Sequence, residues 1–186
     1  MKDQDLVFIT GNQHKADFLA RYLGHPVAHH KLDLDEIQSL DVHQVAEHKA
    51  RQAYDILKQT VLIEDATMSL EGLGGKLPGT YIKWFMEELG PSGVAKLAAG
   101  LSSQKATGHV VYALYDGKQT HFFDGTMTGY IALEPRGSGG FGFDPIFVND
   151  GYQITRGEMT EEQYAATSYR TEAMHKLKAF LNSKSD

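Results

Sequence analysis

The chain has 186 residues, 41% of them hydrophobic and 23% charged, an ordinary globular composition that predicts a single domain over 1–186 with a sizeable core. A formal net charge of −6 gives no electrostatic footing for a nucleic-acid duplex, but leaves room for a small anion met by a local cluster of donors. The absence of cysteine excludes disulfides, thiolate metal sites and cysteine nucleophiles. With no apolar run of bilayer length and no signal-peptide core in "MKDQDLVFIT", no membrane partner and a cytoplasmic location are expected.

In chain order, the apolar run 6–10 predicts a strand that ends at Gly11-Asn12. Phe18, Leu19, Tyr22 and Leu23 then recur at helical spacing until Gly24 and Pro26 stop them. An extended stretch around "VAHHKLDL" leads to a helix over 42–58, with Val42, Val45, Ala46, Ala53 and Leu57 on one side. "VLIED" (61–65) is a buried strand ending in two acids. A glycine-rich loop, "EGLGGKLPGT", precedes the helix "YIKWFMEEL", and a second short helix is expected after Pro91. The stretch "ATGHVVYALYDGKQTHFFDGTMTGYIAL" predicts a long antiparallel hairpin turning at Asp116-Gly117, with Gly125 as a bulge or second turn. Thr160 and Gln163 form a capping box that starts a final helix running to about Leu181. The sum is a mixed α/β domain.

Several stretches carry chemistry. "ITGNQHK" (9–15) sets a glycine, amide side chains and a lysine at a helix N-terminus, where unpaired N–H groups and the helix dipole suit phosphate oxygens. It matches neither the P-loop nor GxGxxG, and Gly-Asn also serves ordinary turns. Glu36, Glu64 and Asp65 are the carboxylates of interest, because acids at a strand's carboxyl end lie where open α/β folds bind ligands. Hard oxygen ligands meeting a triphosphate are what Mg²⁺ takes. The nine histidines show no HExxH spacing, so zinc is not expected. "GGFGFDPIF" (139–147) interleaves Phe141 and Phe143 with glycines, a pattern that suits either a base-stacking loop or rings filling core. Tyr164 and Ser168 lie one helical turn apart, while Tyr169 points about 100° away from Ser168.

Taken in order, "FITGNQHK", "IEDATMSLEGLGGKLPGTYIKWFMEELGPSG", "EPRGSGGFGFDPIF", "DGY", "EM" and "SYR" resemble the inosine triphosphate pyrophosphatase family over nearly the full length, with Lys76 as an apparent one-residue insertion. The resemblance implies an elongated mixed α/β fold: a central mixed sheet flanked by helices, two lobes around a nucleotide cleft, and a homodimer. It implies Mg²⁺-dependent hydrolysis of non-standard purine nucleoside triphosphates to monophosphate and pyrophosphate. Carried over, Thr10, Gly11, Asn12, Gln13, His14 and Lys15 cradle the triphosphate, Lys49 and Lys83 add positive charge, and Ala66 lines the substrate. Glu36 and Asp65 hold Mg²⁺ and orient the attacking water. Phe141, Gly142, Phe143 and Asp144 form one side of the base pocket, and Ser168 and Arg170 part of the other.

The family motif ends Lys-x-x-x-Ser-His-Arg, whereas this chain has Tyr164-x-x-x-Ser168-Tyr169-Arg170. A tyrosine hydroxyl donates or accepts, where a lysine only donates and carries charge. The two tyrosines therefore keep open a retuned nucleobase preference with the same chemistry. A third reading, a nucleotide-binding sensor or subunit with little catalysis, is opposed by the retained Glu36, Asp65 and Lys15.

Overall fold

The computed structural model describes residues 6–185. The short strand β1 (Val7–Ile9) is buried throughout and pairs in parallel with β2 (Ala28–His30) on one side and β3 (Val61–Leu70) on the other. Parallel neighbours need crossover connections, and two helices provide them: α1 (Gln13–Leu23) and α2 (Val42–Leu57). Asn12 caps α1 by accepting from the His14 N–H, and Gly24, at φ 87°, closes it in the left-handed region. Asp41 caps α2 in the same way through the His43 N–H.

With β4 (Pro78–Gly79), β5 (Lys105–Tyr115), β6 (Thr120–Ile131) and β7 (Phe147–Asn149), the strands make one seven-stranded mixed sheet in the order β2-β1-β3-β5-β6-β7, β4 lying antiparallel on β3. Strands β5 and β6 meet at the expected turn. There Asp116 Oδ1 accepts from the N–H groups of Lys118 and Gln119, each at 2.9 Å, and Gly117 adopts φ 88°. Gly125 lies inside β6 and makes no second turn. Strand β7 is antiparallel to β6. No described helix is long and apolar enough to cross a membrane.

The described residues form two compact units. The first runs to Asp65, adds Val110–Gly125 and resumes at Arg170; the second holds Ala66–His109 and Thr126–Tyr169. In the first unit, strand alternation sorts the side chains. Val7, Ile9, Val61, Ile63, Val111 and Ala113 pack with Val42, Ala46, Ala50 and Ala53 of α2. Their buried neighbours Phe8, Leu62 and Tyr112 take the opposite face, where the rings of Phe8 and Tyr112 lie 6.4 Å apart.

In the second unit the two helices expected from sequence lie end to end within α3 (Ile82–Ala99), separated at Gly90, whose φ 64° and ψ 175° are not helical, just ahead of Pro91. The capping box at Thr160 and Gln163 is present, but its helix α4 (Glu161–Ala166) is short. The chain breaks at 167–168 and starts again as α5 (Tyr169–Ser185). Thr167 leaves helical geometry at φ −104° and ψ 5°, and its hydroxyl donates to the Gln163 carbonyl at 2.9 Å. Tyr164 and Ser168 therefore do not share one uninterrupted helix face.

Candidate functional site

The 10–15 loop is tied by its own side chains. Thr10 Oγ1 accepts from the Asn12 N–H at 3.1 Å, and the Asn12 carbonyl accepts from the Lys15 N–H at 3.1 Å. Gly11, Gln13 and His14 are exposed, so the loop keeps an open side at the N-terminus of α1. Lys15 is half-buried, and its ammonium lies 3.1 Å from Glu64 Oε1.

Glu64 is a buried hub. Its Oε1 also accepts from Arg170 Nε at 3.1 Å, and its Oε2 accepts from the Tyr112 hydroxyl at 2.6 Å. Burial pushes its pKa up, but Lys15, Arg170 and the Tyr112 hydrogen bond outweigh that and hold it down at about 2. The carboxylate is permanently ionised at neutral pH and holds two cations from the chain's opposite ends. Arg170, expected at the base, is thus seated in the first unit beside Lys15's partner.

The next residue faces the other way, as period-two alternation demands. Asp65 shares the α2 face with Lys49, whose ammonium lies 2.7 Å from Glu36 Oε1 and 3.1 Å from Asp65 Oδ2. Asp65 Oδ2 accepts no hydrogen bond despite that ion pair, so it retains acceptor capacity. Burial raises the Asp65 pKa above the usual aspartate value, against the opposing pull of Lys49. Burial lowers the Lys49 pKa, yet Asp65 and Glu36 more than reverse this and leave it raised. Among the described residues no group of three or more histidines or acids could hold a metal by itself. Mg²⁺ needs fewer: one or two carboxylates, with substrate phosphates and waters completing the shell. Glu36 and Asp65, already gathered around one cationic group, fit that requirement.

In the second unit the aromatic loop divides. Phe143 is buried with its ring 5.9 Å from Phe147, while Phe141 is half-exposed and Gly142 exposed. Asp144 organises the loop: its Oδ2 accepts from the Phe141 N–H at 2.8 Å and from the Tyr164 hydroxyl at 2.9 Å. Its Oδ1 accepts from Arg156 Nε, also at 2.8 Å. Gly140, at φ 70°, lies against the Asp144 carboxylate where any Cβ would collide. Ser168 is buried, its Oγ without a partner; Tyr169 is 3% exposed. Ala66 is half-buried on β3, and Lys83 is exposed on α3 with its ammonium 5.8 Å from the Trp84 ring centre.

The structure thus gathers Lys15 with Arg170, Glu36 with Lys49 and Asp65, and Phe141 with Asp144 and Tyr164. One functional candidate, Arg156, escaped sequence reasoning, and the role of another was not legible. Glu64 was among the carboxylates of interest, but its pairing with Lys15, Arg170 and Tyr112 was not foreseen. Arg156, in "ITRGEM", gave no local signal, because its partner Asp144 lies twelve residues away.

The model of the Ham1 family matches residues 6–180. The inosine triphosphate pyrophosphatase of Schizosaccharomyces pombe is 36% identical over 185 residues, covering 97% of each chain. The dITP/XTP pyrophosphatase of Thermococcus kodakarensis is also 36% identical, over 95% of this chain and 96% of its own. Among solved structures, a HAM1 protein from Coxiella burnetii superposes with a TM-score of 0.84 at 26% identity, over 97% of this chain and 99% of that one.

Proposed function

The chain belongs to the Ham1 family, and on that premise we propose that it hydrolyses non-standard purine nucleoside triphosphates such as ITP, dITP and XTP. The products are the monophosphate and pyrophosphate, and the role is cleansing of the nucleotide pool. The observation that carries this reading is the full-length kinship with relatives named for that activity. The gathering of Glu36, Lys49 and Asp65 supports it.

The reaction is displacement at the α-phosphorus. Water adds to phosphorus, the bond to the α–β bridging oxygen breaks, and pyrophosphate leaves with the electron pair. Asp65 is the general base: it is half-buried, retains an unfilled acceptor oxygen, and takes the proton that water loses. Mg²⁺, held by Glu36 and Asp65, would supply positive charge to the triphosphate oxygens. Lys49, flanked by both acids, and Lys15, fixed by Glu64, offset negative charge on the departing group. The 10–15 loop presents the positive end of the α1 dipole to phosphate. Phe141, half-exposed, offers a ring for the base, with Ser168, Arg170 and Tyr164 assigned to its recognition.

The test is pyrophosphate release, with Mg²⁺ and with EDTA, from ITP, dITP, XTP and the four common dNTPs. Release confined to ITP, dITP and XTP and lost in EDTA supports the reading. A second reading, the same reaction on another base, is favoured by Tyr164 and Tyr169 in place of the family lysine and histidine; strongest release from a common dNTP would establish it. Binding without release from any substrate would leave a sensor or subunit. A homodimer and a cytoplasmic location complete the proposal, and light scattering and fractionation check them.

A further inference from the structure

Arg156 is the most enclosed cation of the described chain: its guanidinium has no exposed surface, and its ion-pair partner Asp144 is only 4% exposed. Its donors are unevenly used. Nε donates to Asp144 Oδ1, and Nη1 donates to Asn149 Oδ1 at 3.0 Å and to Thr167 Oγ1 at 3.2 Å. Nη2 has no partner. A buried donor left unpaired is costly, and a charged one more so, so such an atom calls for an acceptor that arrives from elsewhere.

The neighbours of this guanidinium include residues that the sequence assigned to the nucleobase. Its central carbon lies 4.0 Å from the ring centre of Tyr164 and 6.0 Å from that of Tyr169. Through Asp144 it is joined to the Phe141 N–H and the Tyr164 hydroxyl. Thr167, on which Nη1 rests, precedes Ser168, whose buried Oγ is also unpaired. Two buried unpaired donors, Arg156 Nη2 and Ser168 Oγ, thus belong to the second unit, in which a tyrosine stands at the place of the family lysine.

We propose that Arg156 is a specificity-determining residue for the nucleobase: Nη2 donates to a ring carbonyl oxygen of the purine, in the role of the cation that Tyr164 replaced. This rests on the proposed pyrophosphatase function. The ring of Tyr164, half-buried with its centre 4.0 Å from the guanidinium carbon, turns aside for the base and releases its hydroxyl from Asp144. A 6-keto purine supplies the acceptor; the 6-amino group of adenine presents hydrogens and does not. Arg156 thereby selects ITP over ATP.

The experiment is a charge relocation. Pyrophosphate release from ITP and ATP, and binding of IMP and AMP by calorimetry, are measured for the wild type, Arg156→Met, Tyr164→Lys and the double variant. Arg156→Met should lower kcat/KM for ITP at least about tenfold with ATP little changed, and weaken IMP but not AMP. Adding Tyr164→Lys to Arg156→Met should restore the ITP preference, since the cation returns on the neighbouring helix. Equal losses on ITP and ATP, or a double variant no better than Arg156→Met, would overturn the proposal and leave Arg156 as an anchor of Asp144. If Arg156→Met does not fold, Arg156→Lys decides, because it keeps the ion pair and removes Nη2: an unchanged ITP-to-ATP ratio overturns the proposal, and a several-fold fall supports it. Wild-type protein that prefers IMP to AMP yet releases no pyrophosphate would defeat the enzymatic reading alone.

Discussion

Replacing Glu64 by Gln keeps the shape of the side chain and removes its charge, which tests the hub on which Lys15 and Arg170 converge. The carboxylate is 2% exposed, Arg170 is 6% exposed and Lys15 is 20% exposed, so the cations left behind gain little from water. A folded-state pKa of about 2 against an ordinary 4.5 corresponds, at about 1.4 kcal/mol per pH unit, to about 3 kcal/mol of stabilisation. Breaking a buried ion pair by removing one partner costs about 3–5 kcal/mol in general, which agrees. In a chain of this size that lowers the melting temperature by roughly 6–12 °C. The pH dependence has a definite sign. Because the folded pKa is depressed, the contribution is complete above about 4.5 and is lost as pH falls toward about 2. The assay is urea denaturation of both proteins at pH 7 and at steps down to pH 3. The gap should be about 3 kcal/mol at pH 7 and should narrow below pH 4.5. A gap under about 1 kcal/mol at pH 7, or one that stays constant to pH 3, would refute the hub.

Asp65→Asn should reduce kcat by about 10²-fold or more with the melting temperature little changed, as loss of a general base requires; near-normal turnover removes Asp65 from the chemistry. In the wild type, kcat/KM should fall on the acid side through a pKa above the usual aspartate value, since burial favours the protonated form of Asp65. A rate profile flat down to pH 4 would contradict this. Phe143→Ala should cost about 3–5 kcal/mol of stability, because that ring is buried against Phe147. Phe141→Ala should leave stability nearly unchanged and raise KM by roughly 5–150-fold, the value of one stacked base; the reverse pattern would exchange the two roles. Gly117→Ala should destabilise by about 1 kcal/mol or more in thermal denaturation, because φ is 88° and the added methyl would overlap the Tyr54 ring.

What the sequence revealed follows the range of the forces involved. The β1–α1 turn, α2 and the β5–β6 hairpin were legible because their signals are local: a cap at Asn12, an apolar stripe from Val42 to Ala53, a turn at Asp116-Gly117. The start of α4 was legible for the same reason, and its end was not. No glycine or proline marks the break at 167–168. There Thr167 turns its hydroxyl back on Gln163 and receives the buried guanidinium of Arg156, eleven residues earlier in the chain. Glu64 and Arg170 are 106 positions apart, so nothing in either neighbourhood announces their bond. The site residues drawn from the resemblance arrive with a family's whole geometry behind them, yet Arg156 could come only from coordinates.

The opposed side chains of Glu64 and Asp65 bear on how this gene can change length. Deleting one residue early in β3 would exchange the two faces, sending Asp65 toward Lys15 and Arg170 and a neutral alanine toward Lys49. A single codon lost there would scramble both charge clusters with no change in composition near them. The exposed loop after β3 has no such constraint, and that is where Lys76 stands as an apparent extra residue. A one-residue change in the turn leaves both clusters where they are, whereas one in the strand exchanges them.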